Sequence, residues 1–279
     1  MQTNPRVVLT TVLGALMVAL ALLGIASPAH GGEGTVTYTL STGTSTFRIE
    51  PYLPASGTPV LDADYSASVQ RFPACSNVVL ASVRVTVSMA AAANFSAVGL
   101  TCAGISGVYA NLMPIATATG VGFQVVAAPP ALQTPNGLAF TPPPGNNCSV
   151  AVTLIPNPTS GTAQGQVAPS ALSAWRGTGS VNVSLQVRFV PEVITSPSTP
   201  LIAQFDPILS ATTIEVRFAY TTPAFDPTGD AVVDGADLAV VLGAWGSTSG
   251  GAADVDGSGA VDANDLAIVL GNWGPIACN

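Results

Sequence analysis

ADVDGSGAVDANDLAIVLGNWG, residues 253–274, places oxygen-bearing side chains at alternate positions of a glycine-punctuated loop and follows the loop with an apolar run. Calcium takes six to eight oxygen ligands from a loop that turns sharply. Asp254, Asp256, Ser258, the carbonyl of Ala260, Asp262 and Asp265 stand at the ligand places of such a loop. Gly259 stands at the turn, where the backbone needs a residue that tolerates positive φ. An EF-hand loop ends in Glu at its twelfth place; this one ends in Asp265.

The same pattern occurs 28 residues earlier. DPTGDAVVDGADLAVVLGAWG (226–246) aligns with DVDGSGAVDANDLAIVLGNWG (254–274) without a gap, and 12 of 21 positions are identical. The first copy offers Asp226, Thr228, Asp230, the carbonyl of Val232, Asp234 and Asp237. After each loop, apolar residues recur at i, i+3, i+4 and i+7: Leu238, Val241, Leu242 and Trp245, then Leu266, Val269, Leu270 and Trp273. A helix this short is marginal alone, so the two stripes are expected to pack on each other, with both Trp as packing residues. Val233 and Val261, at the eighth places, are expected to pair in a short strand contact. The competing reading is an acidic turn with Asp capping a helix; two copies in register count against it. Thr228 and Ser258 are neutral ligands, one in each loop; Ala231 replaces the turn Gly in the first copy, and the first loop is expected to bind more weakly.

Twin loops ending in Asp-Leu, with Asp in place of Glu, resemble the type I dockerin domain over residues 226–274. The resemblance implies two structural calcium ions on the twelve residues just named. It also implies docking onto a cohesin-like or other cell-surface protein through residues 226–274. The partner-reading places beside the loop ends hold Gly235-Ala236 and Ala263-Asn264, not the Ser/Thr pair of cellulosomal dockerins.

The charge distribution agrees with a cation site. The formal charge is −8. Residues 226–279 hold eight Asp and no Arg, whereas residues 1–225 hold seven acids and all seven Arg. A basic stripe for nucleic acid is absent. At the other end, Arg6 precedes an apolar run from Val7 to Ile25, followed by ASPAHG. This is the layout of a secretory signal peptide, residues 1–29, with cleavage after Ala29 or, nearly as well, after Gly31. The alternative is a retained anchor, since 19 residues just span a bilayer. With cleavage, no membrane segment remains, and the protein is secreted or held at the cell surface. Export permits disulfides among Cys75, Cys102, Cys148 and Cys278, in three possible pairings. Cys278 is either a disulfide partner or an attachment residue.

Between these ends the period is two. Val83, Val85, Val87 and Met89 alternate with polar residues, as do Val181 to Phe189 and Ile214 to Tyr220. Shorter runs lie at 36–40, 47–52 and 150–154, and 90–95 is ambiguous. Each run has one core face and one wet face. The expected fold is mainly β: an antiparallel β-sandwich over residues 30–222, with a barrel as the alternative. A linker at 223–225 then leads to a small α-helical two-loop EF-hand-like module at 226–279. QRFPACSNVVLASVRVTVS (70–88) and FDPILSATTIEVRFAYTT (205–222) resemble the choice-of-anchor E family, exported bacterial domains of unknown activity.

Catalytic equipment is sparse. His30, the one His, sits at the expected cleavage point: cleavage after Gly31 leaves the mature chain without a His for Ser-His or Cys-His arrangements, and cleavage after Ala29 leaves it as the first residue. Asp62 and Asp64 are the close acidic pair of the body; they could share a strand face, and a solvated turn is the favoured setting. The reading is a non-catalytic exported surface or matrix protein with calcium as its cofactor. The rival is a secreted carbohydrate-binding module, or a glycoside hydrolase; Trp175 could stack on a glycan there, although a half-buried loop anchor is the commoner fate of such a Trp.

Overall fold

Alternating residues become strands when every second side chain finds a common core. The computed structural model describes residues 17–19, 33–52, 60–74, 78–99, 107–135, 148–196, 201–249 and 251–276. In chain order its strands are β1 (Met17–Ala19), β2 (Glu33–Ser41), β3 (Ser45–Thr46), β4 (Ile49–Tyr52), β5 (Leu61–Gln70), β6 (Val79–Gly99) and β7 (Gly107–Gly120). There follow β8 (Phe123–Ala127), β9 (Leu132–Gln133), β10 (Cys148–Thr153), β11 (Thr159–Gln166), β12 (Ser180–Ser196) and β13 (Leu201–Thr221). The segment Ala90–Phe95, ambiguous in sequence, lies inside β6.

Two antiparallel sheets form. One runs β1-β2-β13-β6-β10, with β11 also on β6 and β3 and β4 on β13. The other runs β5-β12-β7-β8, with β9 on β7. Among the described residues no named strand of one sheet pairs with a strand of the other, and an isolated bridge between Gln133 and Ile155 ties one corner. The sheets therefore make a sandwich and not a closed barrel. The inner faces carry the expected residues: Val83, Val85, Val87, Val183, Val187, Phe189, Val216 and Phe218 are all buried. Each such side chain contributes about 1.5–3 kcal/mol of burial.

Two settings left open by the sequence are decided here, the first for the favoured alternative and the second against it. Trp175 is not a surface platform: it is fully buried at the end of a 3-10 turn, Pro169–Trp175. Its indole N–H donates to the Val121 carbonyl at 2.9 Å, and its rings meet Phe123 and Phe218. A large aromatic with one polar atom is accommodated in a core when that atom finds a partner. Asp62 and Asp64 are not in a turn. They lie on the outer face of β5, where pairing with β12 sets Asp62 opposite Arg188 and forms an ion pair at 2.7 Å.

Most of the expected leader lies outside the described residues; Met17–Ala19 pairs antiparallel with Thr39–Ser41 at the sheet edge. No helix of the described residues is long and apolar enough to cross a membrane. Cys75, Cys102 and Cys278, and the side chain of Cys148, lie outside what is described, and so does their pairing.

Candidate metal centre

The last strand of the sandwich feeds the first loop through a tight turn. The segment 223–225 is not a free spacer: Asp226 N–H donates to the Pro223 carbonyl, and Phe225 packs on the core. Beyond it lie β14 (Val232–Val233), α1 (Gly235–Gly243), α2 (Ala263–Gly271) and β15 (Gly274–Pro275).

Each loop folds around its first and last carboxylates. In the first, Asp226 Oδ1 accepts from Gly229 N–H at 2.9 Å and Oδ2 from Ala231 N–H at 2.9 Å. Asp237 closes the loop: Oδ1 accepts from Thr228 N–H and Oγ1–H, and Oδ2 from Asp234 N–H. In the second, Asp254 Oδ2 accepts from Gly259 N–H at 2.8 Å. Asp265 Oδ1 accepts from Val255 and Asp256, and Oδ2 from Asp262. The chain turns where expected: Gly259 has φ 90°, and Ala231 has φ 67°. Ala231 is the one positive-φ residue other than Gly among the described residues, and a Cβ there costs on the order of 1 kcal/mol.

This folding draws carboxylates together. Asp226, Asp230 and Asp237 bring one ligand oxygen each within 4.8 Å of one another, as do Asp254, Asp256 and Asp265. Asp226, Asp237 and Asp265 are fully buried. Like charges this close and this poorly solvated repel unless a cation sits among them. Asp254 Oδ1 is buried with no hydrogen-bond partner among the described residues. An orphaned carboxylate oxygen beside two further carboxylates, in a donor set made only of oxygen, fits a hard divalent cation.

Asp234 and Asp262 stand outside the two triads. Each is the N-cap of its helix and accepts from Ala236 or Asn264 N–H at 2.7 Å. Asp237 and Asp265 complete the capping boxes from the third helical position. The ninth place of an EF-hand loop often reaches calcium through water, so a capping role leaves that position compatible with a loaded site. Thr228 lies against Asp226 and Asp237, while Ser258 Oγ touches the Ala260 carbonyl at 3.2 Å and Val232 N–H donates to Asp230 at 2.9 Å.

The helix pair departs from expectation in two ways. Only Val241 and Val269 are buried at the centre of the pair; Leu238 and Leu266 are half-buried. Leu242, Trp245, Leu270 and Trp273 are 52%, 49%, 50% and 52% exposed. Each helix ends at a Gly before its Trp, so the stripe runs off the helix before the Trp can reach the partner. The expected Val233–Val261 pairing is also replaced. Val261 exchanges hydrogen bonds with Gly246 and Ser247, after α1, and Val233 pairs with Gly274, after α2. Each loop thus binds the segment following the other copy's helix.

The sandwich contributes two contacts that the sequence did not disclose. Tyr220 O–H donates to the Gly229 carbonyl at 3.2 Å, and Thr222 Oγ1–H to the Asp226 carbonyl at 3.2 Å. Burial pushes the Tyr220 phenol up, with Asp226 and Asp230 adding to the effect. The second sheet also carries an open groove of about 420 Å³ with polar and apolar lining in equal measure, Asp64, Gln124 and Gln186 beside Tyr65 and Leu185.

No curated protein matches the chain. Among solved structures, an infectious bursal disease virus Gx strain structure aligns over 68% of this chain and 41% of that one, at 11% identity and a TM-score of 0.19. The VP2 subviral particle of the same virus aligns over 67% and 42%, at 12% identity and 0.16. The chain thus spans about two fifths of those structures, and likenesses this faint carry no argument. The resemblance of the strand region to choice-of-anchor E proteins finds no support among these matches. The loops themselves are matched: residues 224–271 fit the family model of the dockerin type I domain, and the chain carries that domain behind its sandwich.

Proposed function

We propose that this is an exported, non-catalytic surface or matrix protein, attached through a dockerin domain that binds two calcium ions. The carrying observation is the pair of loops, each gathering three carboxylates around a common point. The ligands are Asp226, Thr228, Asp230, the Val232 carbonyl and Asp237 in the first loop, and Asp254, Asp256, Ser258, the Ala260 carbonyl and Asp265 in the second. Asp234 and Asp262 act through water. Calcium binds the folded loops and not the unfolded chain, so its binding energy is folding energy.

The partner is a protein of the cohesin kind. Gly235-Ala236 and Ala263-Asn264 offer it no hydroxyl pair, which argues for a contact built on apolar side chains. The glycan reading loses its stacking residue with the burial of Trp175. Calorimetric titration of calcium into the chelated full chain, with circular dichroism alongside, tests the proposal. Two binding events with a gain of helix support it; no heat and an unchanged spectrum overturn it.

A further inference from the structure

We propose that the first calcium site is built across the domain boundary, with Tyr220 and Thr222 of the sandwich as its positioning residues. The inference rests on the calcium reading above and extends it: the two sites differ in kind. The second loop is held by its own backbone and by the module around it. The first is held in these ways too, and in addition by Tyr220 at the end of β13 and Thr222 just after it.

The geometry is specific. Tyr220 is the penultimate residue of β13 and is nearly buried. Its ring lies 4.9 Å from that of Phe72, which in turn stacks on Phe218 at 6.0 Å. One end of this side chain therefore belongs to the sandwich core. Its hydroxyl bonds the carbonyl of Gly229, whose own N–H donates to Asp226 Oδ1. Two residues on, Thr222 bonds the carbonyl of Asp226 itself. Two carbonyls of the first loop, those of Asp226 and Gly229, are thus pinned by Tyr220 at the end of β13 and by Thr222 just beyond it. The turn itself repeats in the second copy, with Asp254 N–H on the Gly251 carbonyl as Asp226 N–H is on the Pro223 carbonyl, but among the described residues no sandwich side chain bonds the equivalent Asp254 and Gly257 carbonyls.

Two consequences follow. Calcium in the first loop tightens the end of β13 and with it the Phe72–Phe218 corner of the sandwich. It also fixes how the docking module is carried, because the chain between Thr222 and Asp226 has no free length. Calcium in the second loop does neither.

The test is hydrogen exchange and calcium calorimetry on the full chain, as wild type, as Tyr220→Phe and as Asp254→Asn/Asp256→Asn. In the wild type, calcium is expected to slow exchange across residues 218–222 and around Phe72. The Asp254→Asn/Asp256→Asn chain keeps one binding event and the same slowing. Tyr220→Phe removes one buried hydrogen bond and weakens the first site about fivefold, leaves the second unchanged, and loses the slowing. Tyr220→Phe that lowers stability equally with and without calcium assigns Tyr220 a purely structural role and overturns the inference. Calcium that binds with full heat but leaves residues 218–222 unprotected overturns the inference alone. A wild-type chain that binds no calcium overturns the functional reading as well.

Discussion

Asp237 holds the start of its loop and the start of its helix at once: Oδ2 takes the Asp234 N–H at 2.8 Å while Oδ1 takes the Thr228 hydroxyl at 2.7 Å. Asp265 does the same for Asp262, with Val255 and Asp256 on its other oxygen. A carboxylate one methylene shorter than Glu thus serves as loop closure and capping box together. Asp265→Ala removes both functions. It is expected to abolish calcium binding in the second loop and to cost about 1 kcal/mol of helix stability from the lost cap. Asp265→Asn retains an acceptor oxygen and loses the charge. It should keep most of the cap and still lose the ion. Calorimetry and circular dichroism on the two variants separate the roles; equal calcium affinity in Asp265→Asn and wild type would sink the assignment.

Ala231 carries the strain of the first loop. At φ 67° its Cβ crowds the backbone, whereas Gly259 meets the same demand at no steric cost. Ala231→Gly is expected to strengthen the first site by up to about 1 kcal/mol, a factor of about five in affinity, and to leave the second site alone. Val at the same position, with a β-branched side chain, should weaken it. A calcium titration in which Ala231→Gly binds no better than wild type would show that the loop does not store this strain.

The two sites also differ in how protons compete with the ion. Burial pushes the Asp226 carboxyl above its ordinary range; Gly229 and Ala231 N–H groups oppose this, and Asp237 and Asp230 add to it. For Asp265 burial also works upward, but hydrogen bonds from Asp262, Asp256 and Val255 outweigh it and hold the carboxyl below its ordinary range. The calcium-free fold therefore binds the Asp226 proton more tightly than the unfolded chain does. Charging Asp226 costs stability, a cost absent below the ordinary carboxylate range and complete above the raised value. Asp265 contributes stability above the ordinary range and loses it as pH falls through the lowered value. On acidification from neutrality, the first loop is expected to release calcium before the second, with proton uptake at the first. Calorimetry over a pH series in buffers of different ionisation heat reads both; release from the second loop first contradicts the assignment.

The parts legible in sequence are those in which side-chain size alternates. β6, β12 and β13 announce themselves because Val, Leu, Phe and Met fill their inner positions. β11 does not, because its inner face meets β8 and the turn after it too closely for side chains. A Cβ on Gly165 would lie 2.6 Å from Val125 Cγ2, and one on Gly161 3.0 Å from Pro129. β5 hides for a related reason: Ala63 and Ala67 are small, half-buried inner residues of an edge strand. In the loops, spacing alone brings out the carboxylates that the fold gathers, Asp226, Asp230 and Asp237 in one and Asp254, Asp256 and Asp265 in the other. What spacing does not carry is which copy meets which. The exchange of Val233 and Val261 between copies, and the reach of Tyr220 into the first loop, arise from three-dimensional closure of elements far apart in sequence.

Trp175 illustrates how far the anchoring of a loop Trp can go. Flanked by Ser, Ala, Arg and Gly, it has the look of an exposed loop residue, yet it fills the end of the sandwich. Trp175→Ala removes the largest fully buried side chain among those described and orphans the Val121 carbonyl. The expected loss is about 3–5 kcal/mol, seen as a lower midpoint in denaturant melts, with calcium affinity at the second loop unchanged. A melt within about 1 kcal/mol of wild type would contradict the buried placement.

Trp245 and Trp273 present the opposite case. They are related by the 28-residue repeat, half-exposed, and each stands three residues after an exposed Leu, Leu242 or Leu270. Among the described residues these four are large apolar side chains left outside the module's core, where only Val241 and Val269 are fully enclosed between the helices. Exposed apolar groups in a repeated arrangement mark a contact surface more often than a packing error. Trp245→Ala and Trp273→Ala are each expected to shift stability by under about 1 kcal/mol, in contrast to Trp175→Ala. Both indoles should be quenched by iodide with calcium bound, while Trp175 stays shielded. Because the two patches are near-equivalent by the repeat, either single variant should retain docking to a cohesin-type protein, and the double variant should lose it. Indoles protected from iodide in the free calcium-loaded chain would place both Trp in the helix interface and remove this surface as the site of docking.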